Sequence, residues 1–345
     1  MEYTMGTKLT NISVDMNNVK KLCKINEYKG EQIIYKKQPK NVVTSMTDNA
    51  ILKFVYDNYI DSFLGGHENL VKLIHNEITP QSREDIGVVE FRDVIKTVNS
   101  AFEDIQVCSQ TILELHGYLH RYSLIRGGRY RNEAIGFIDF GKPNDDFDDV
   151  HDIEKNMESK IDSLCKKYYK FLEANKIQDL IIIASFIMDF MLISPFKEDN
   201  LAMSKILTLL LLNKSGYEIG RFTSLGNLYN DENYSYFKTL FSKQGDSERE
   251  YYNMNKWLDY FLSFILASYE DLSEEMNLTG NKKETKTRRI EKVINSTLGY
   301  FTKDDVRNQC PDIPEPTINR VFNNLRKSGK IEVVAKGRSA KWKKR

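Results

Sequence analysis

The sequence predicts a mainly α-helical protein with one short β-hairpin, followed by a small α+β module at its C-terminal end. Three observations carry this. Nine stretches place apolar residues at i, i+3 and i+4, the spacing of one buried helix face. Before residue 280 only "NEAIGFIDFGKPNDDFDDV" alternates apolar and polar residues and then closes with a turn cluster, as a hairpin does. The charge then changes sign. Residues 280–345 hold 18 Lys and Arg against 7 Asp and Glu, a net +11, whereas residues 1–279 hold 32 against 42, a net −10. Two bodies of opposite charge suggest two tasks, and the polar, lysine-rich "MNLTGNKKETKTRR" (276–289) sets their boundary near 280.

Helices are expected over 46–64, 67–79, 87–105, 107–122, 152–174, 177–193, 201–215, 233–242 and 254–272. Most hold no internal proline, which would break them. Ahead of them, "KINEYKGEQIIYKKQP" reads as a small hairpin or a docking arm. Past residue 280, "RRIEKVINSTLG" is an amphipathic helix, and "TKDDVRNQC" is a short second one with Thr302 as its N-cap. A third helix follows, with Ile318, Val321, Phe322 and Leu325 on one face and Gly329 as its stop. "IEVVAKGRSAKWKKR" then alternates into a hairpin turning at Gly337.

Three helices and a hairpin in this order predict a winged helix-turn-helix over 280–345, its third helix entering a DNA major groove and its wing touching phosphates. Thr317, Asn319, Arg320, Asn323 and Asn324 are the helix candidates, and Lys336, Arg338, Lys341 and Lys343 those of the wing. The same module also serves other proteins as a docking unit, so both uses stay open here.

Composition bounds the rest. With 41% hydrophobic and 29% charged residues, the chain is an ordinary globular protein. Its start lacks the basic-then-apolar pattern of a secretory signal, and its longest apolar run, "LIIIASFIMDFMLI", is interrupted by Asp189 and too short for a membrane span. Cys23, Cys108, Cys165 and Cys310 show no paired spacing, which predicts free thiols, a cytoplasmic location and no membrane partner. His116 and His120, four apart on one helix, suit a metal pair but lack a third ligand nearby; His67 and His75 read as structural and His151 as exposed.

The segment "ISPFKEDNLAMSK" (193–205) joins two apolar helices. A loop opening a helix can bind an anion through free backbone N–H groups, yet this one lacks the glycines and arginines that phosphate sites use. It resembles the central motif of the Fic (Fido) family, HPFx(D/E)GN(G/K)RxxR. Three further stretches support the likeness. "GGRYRNEAIGF" (127–137) is similar to the lead into that family's target-binding flap, which places Ile135, Gly136 and Phe137 there. "NEITPQSREDI" (76–86) resembles its inhibitory-helix region, and "NDENYSYFKTLF" and "NKWLDYFLSFI" take the places of its closing helices. The likeness spans about residues 40 to 272. It implies a Fic-type helical bundle with one hairpin flap. The organisation then reads as an N-terminal helical region (1–105), a Fic core (106–275) and a winged helix (280–345), in a protein of bacterial type for which a homodimer stays open.

The family's reaction, as the resemblance implies it, transfers AMP from ATP to a hydroxyl of a protein target with Mg²⁺. A histidine takes the proton, an acid holds the metal, and asparagine, glycines and two arginines hold the phosphates. Here Pro195 and Phe196 match, Glu198 matches the metal ligand and Asn200 the phosphate-contacting asparagine. Ser194 stands in the place of the histidine, Asp199 and Leu201 in those of the glycines, and Ala202 and Lys205 in those of the arginines. Loss of a general base typically costs about 10²- to 10⁴-fold. Glu77 matches the family's inhibitory glutamate, and Lys205 keeps the charge for pairing with it. Two readings result. One is a degenerate Fic protein, weakly active or inactive, with a regulatory or nucleic-acid-binding role. The other is an active enzyme that transfers AMP or another phosphate-containing group without the histidine.

Overall fold

The computed structural model describes residues 5, 9, 14–123, 126–132, 150–228, 254–279, 286–335 and 340–344. Its body is built from α1 (Met16–Lys36), α2 (Lys40–Tyr59), α3 (His67–Ile74), α4 (Arg83–Ala101), α5 (Ser109–Leu119), α6 (Val150–Ala174), α7 (Asp179–Ile193), α8 (Asn200–Lys214) and α9 (Met254–Thr279), with a 3₁₀ turn at Glu218–Arg221. The C-terminal part holds α10 (Lys286–Ser296), α11 (Lys303–Gln309), α12 (Glu315–Lys327) and an antiparallel hairpin of β1 (Ile331–Ala335) and β2 (Lys341–Lys344). The expected helix at 233–242 and the expected flap hairpin lie outside the described residues.

Helices α7 and α8 form the centre. Every α7 residue from Leu180 to Ile193 is buried, so this helix is apolar all round rather than amphipathic. The one charge within that buried run, Asp189, is fully buried and accepts the Met5 backbone N–H at 2.7 Å. α6 and α9 flank α7, and the Trp257 indole N–H of α9 donates to the Ala184 carbonyl of α7 at 2.7 Å.

The N-terminal segment departs from expectation. The stretch 24–39 forms neither a hairpin nor a free arm: residues 24–36 are the larger part of α1, a 21-residue helix capped by the Asp15 carboxylate on the Asn18 N–H (2.7 Å). It lies along α9, where Lys21 bonds Asp259 and Ser263, and Tyr269 donates to Gln32 at 2.5 Å. Leu22, Ile25 and Tyr35 are buried. Apolar residues off that face, Met16, Val19, Ile33 and Ile34, are exposed and blur this sparse stripe to a periodicity reading.

Two starts carry reciprocal caps. Ser82 and Asp85 open α4, and Thr302 and Asp305 open α11, the latter as expected. Gly329 ends α12 at φ +75°, where a side chain would be strained, and the Lys330 N–H closes onto the Leu325 carbonyl at 2.9 Å. Among the described residues, the buried apolar side chains form two clusters. The larger includes α1–α9, and the smaller gathers Ile290, Phe301, Ile318, Val321, Phe322, Leu325 and Trp342. In the hairpin, Ile331 faces Lys344 and Val333 faces Trp342. Cys23, Cys108, Cys165 and Cys310 are free thiols, and among the described residues no helix is long and apolar enough to cross a membrane.

Candidate functional site

The loop of residues 194–199 runs from the end of α7 to the start of α8. Ser194 closes α7 in the left-handed conformation (φ 43°), is 2% exposed, and donates its hydroxyl proton back to the Met191 carbonyl at 2.6 Å. Arg131, itself buried, reaches in from the segment after α5. Its Nε donates to the Ser194 carbonyl at 3.0 Å and its backbone N–H to the Pro195 carbonyl at 2.8 Å. The loop is thereby tied to residues that lead into the expected flap. Ile135, Gly136 and Phe137 themselves lie outside the described residues.

Phe196 is fully buried, and Asn200 closes the loop around it. The Asn200 carbonyl oxygen accepts the Phe196 N–H at 3.0 Å, and its amide nitrogen donates to the Phe196 carbonyl at 2.7 Å. Both polar ends of Asn200 are therefore used inside the loop. Asp199 precedes α8 at φ 61°. Glycine adopts this geometry freely and Asp tolerates it, so the backbone shape survives the substitution. Leu201 and Ala202 sit in the first turn of α8, packed on the core, and neither is at positive φ. Leu201 thus costs the loop backbone no strain, contrary to what its place in the motif suggests.

Lys205 does not face the loop. It is 4% exposed and donates to Asn58 Oδ1 at 2.6 Å and to the Gly226 carbonyl at 2.8 Å. Burial lowers its ammonium pKa to about 8, against the pull of the nearby Asp57 carboxylate. Glu77 lies exposed beyond α3 and makes no ion pair with Lys205. The reason is local. α3 stops at Ile74, Asn76 turns left-handed (φ 60°), and the Glu77 N–H folds back onto the Lys72 carbonyl at 2.8 Å. Arg92 locks this end by donating to the Leu73 carbonyl (3.0 Å) and Asn76 Oδ1 (2.6 Å). The helix expected to continue to 79 ends earlier, and Glu77 leaves with it. Glu198 is exposed, with Arg83 Nη2 3.7 Å from its carboxylate.

The histidines of α5 come to this loop. The His116 ring stacks flat on Phe196, centroids 3.8 Å apart, with Tyr130 parallel on Phe196 at 5.9 Å. His116 Nδ1 accepts the Gly128 N–H at 3.0 Å, so the neutral ring carries its proton on Nε2. Burial, reinforced by the neighbouring His120, lowers the His116 pKa to about 4. His120 Nε2 lies 3.2 Å from Asp199 Oδ2, and the two imidazoles meet edge to face at 4.7 Å. Buried Glu90 fixes the turn after α5 by accepting the N–H groups of Tyr122 and Ser123. The i, i+4 spacing of His116 and His120 is visible in the sequence, but its target is a phenylalanine and an aspartate on a distant loop. Among the described residues no group of three or more His, Cys, Asp or Glu side chains is arranged around a common point for a metal ion.

In the C-terminal part, Arg320, Asn323 and Asn324 are exposed on α12, Thr317 is half-buried, and half-buried Asn319 accepts from Lys303 at 2.6 Å. Lys341 is exposed 3.9 Å from Glu68, and Lys343 pairs with Glu332 at 3.0 Å. Lys336 and Arg338 lie outside the described residues.

No protein-family profile and no curated protein matches the sequence. Solved structures do. A Fic family protein from Desulfovibrio desulfuricans G20 superposes with a TM-score of 0.54 at 15% identity, covering 97% of both chains. A Fic domain containing signaling protein from Bacteroides thetaiotaomicron gives 0.56 at 14% identity over 72% of this chain and 95% of its own. Fic-1 from C. elegans gives 0.52 at 14% identity over 76% and 74%. At these identities the likeness establishes the fold: this mainly α-helical chain has a Fic (Fido) fold.

Proposed function

We propose that this chain is a non-catalytic relative of the Fic adenylyltransferases, a cytoplasmic regulatory protein whose basic C-terminal module is a winged helix-turn-helix that contacts DNA. One observation carries the first half. The groups at the family's base, phosphate and clamp positions are all bonded inward: Ser194 to Met191, Asn200 to Phe196, and Lys205 to Asn58 and Gly226. A phosphate approaching α8 would meet the carboxylates of Glu198 and Asp199, and the motif supplies no guanidinium to offset them. Exposed Glu198 alone would remain to hold Mg²⁺. These residues do not fit ATP with its metal. Calorimetry with ATP and magnesium is expected to give no binding heat up to about 1 mM, the level of a −4 kcal/mol interaction. Micromolar binding that is lost in Glu198→Ala overturns the reading.

The exposed Arg320, Asn323, Asn324, Arg326 and Lys327 on α12, with Lys341 and Lys343 on β2, support the second half. Cations in this arrangement release counterions from a duplex and make binding salt-dependent. A labelled duplex is expected to bind at low salt and dissociate as salt rises; no mobility shift at low salt removes the DNA role.

A second reading, an active transferase with non-standard chemistry, is favoured by His120 and Asp199. His120 stands outside the motif, yet its imidazole lies 3.2 Å from the carboxylate of Asp199 in the loop. Transfer of label from ATP labelled at the α-phosphate to proteins, abolished in His120→Ala, selects that reading.

A further inference from the structure

The C-terminal module meets the side of α2 and α3 through contacts that include a glycine turn, an aromatic pair and the lysines of β2. Gly299 turns at φ +72° between α10 and α11, so close to the body that a Cβ there would lie 3.4 Å from Val71 Cγ2 and 3.6 Å from the Tyr56 hydroxyl. The next residue, Tyr300, sets its ring 5.2 Å from that of His67, the first residue of α3. His67 Nδ1 is in turn 3.5 Å from the Tyr56 hydroxyl. Burial, with nearby Asp57 and Tyr300 adding to it, lifts the Tyr56 phenol to about 12, which keeps it a neutral hydroxyl. On β2, Lys341 Nζ stands 3.9 Å from Glu68 Oε2, while Glu68 also binds Lys72 at 2.9 Å.

The chemistry of the last pair is the informative part. Lys341 belongs to the cationic set through which the module would meet phosphates, and in this structure it faces a carboxylate of α3. A carboxylate and a phosphate diester oxygen compete for the same ammonium group. The pair is exposed, long and shared with Lys72, so it is weak and easily exchanged. The aromatic contact and the glycine turn add shape without a deep apolar seam. Such a contact holds the module while nothing else binds it and yields when a polyanion arrives.

We propose that the C-terminal module is docked reversibly on α2–α3, and that nucleic acid and the Glu68 carboxylate compete for Lys341, so that nucleic-acid binding releases the module from the body. The docked face begins α3, the helix whose far end leads into Glu77. Release would therefore free the start of the segment that carries Glu77. This inference rests on the nucleic-acid reading of the module.

The test uses the full chain and a fluorescein-labelled duplex of about 20 base pairs, enough for two turns of a module-sized footprint. Two variants weaken docking from opposite sides: Tyr300→Ala on the module, and Glu68→Gln on the body, which leaves the module intact. Both are expected to bind the duplex about three- to tenfold more tightly than the parent, because neither must break the docked state first. Hydrogen exchange on the parent is expected to quicken at residues 67–72 and 297–301 when duplex is added. Equal affinity in all three proteins, with exchange unchanged by duplex, overturns the competition and leaves DNA binding standing. Absence of duplex binding in all three overturns the nucleic-acid reading and the competition with it.

Discussion

Asn200→Ala is the sharpest single perturbation of the loop. The side chain satisfies two main-chain groups of Phe196, a residue with no exposure, at 3.0 and 2.7 Å. Truncation leaves a buried N–H and a buried C=O without partners, each costing about 1–3 kcal/mol, so the expected destabilisation is about 2–5 kcal/mol. Asn200→Asp keeps the acceptor for the Phe196 N–H but sets a carboxylate oxygen against the buried Phe196 carbonyl, and should cost at least as much. The chain has two tryptophans, Trp257 in the large apolar cluster and Trp342 in the small one. In a Trp342→Phe background, urea unfolding followed by fluorescence reports on the large cluster alone. A loss below about 0.5 kcal/mol for Asn200→Ala would mean that the clip is not formed in solution. The amide would then be free for a phosphate, and the argument for a non-catalytic loop would lose its support.

The pH dependence of the same unfolding follows His116. Its folded pKa of about 4 lies below the ordinary 6.5, so the unfolded chain binds a proton that the native ring refuses. Stability from this group is full above pH 6.5 and falls as the pH drops through the window from 6.5 to 4, by roughly 2–4 kcal/mol. His116→Phe, which keeps a ring on Phe196, should flatten that slope; an unchanged slope refutes the assignment. Asp199→Gly should leave stability within about 1 kcal/mol, because glycine is at ease at φ 61° while the His120 contact is lost. By itself it should not create ATP binding in calorimetry, since no arginine returns with it. Arg320→Ala should weaken duplex binding by a similar factor for every sequence if it meets phosphate, and lower the salt slope by about one unit. Loss confined to one base position would make it a base-reading residue.

The chain by itself determined the helical body, because apolar residues at helical spacing need a common core whatever that core's detail. It also determined the break in character near residue 280, since charge is a count. "ISPFKEDNLAMSK" with its flanking segments pointed to the fold, and the removal of base and clamp residues was legible letter by letter. α1 was not legible, because its buried face is sparse and becomes a helix face only against α9. Nor was the fate of Lys205 or Glu77. A lysine in the motif reads as a clamp until the packing of α2 and the turn at Gly226 give it oxygens away from the loop. A glutamate reads as its partner until Asn76 and Arg92 end α3 early. His116 and His120 were visible as a pair, and only tertiary structure set one on Phe196 and the other beside Asp199. Local pattern fixes which faces are apolar; which polar groups find one another depends on distances across the fold, which no single stretch of sequence carries.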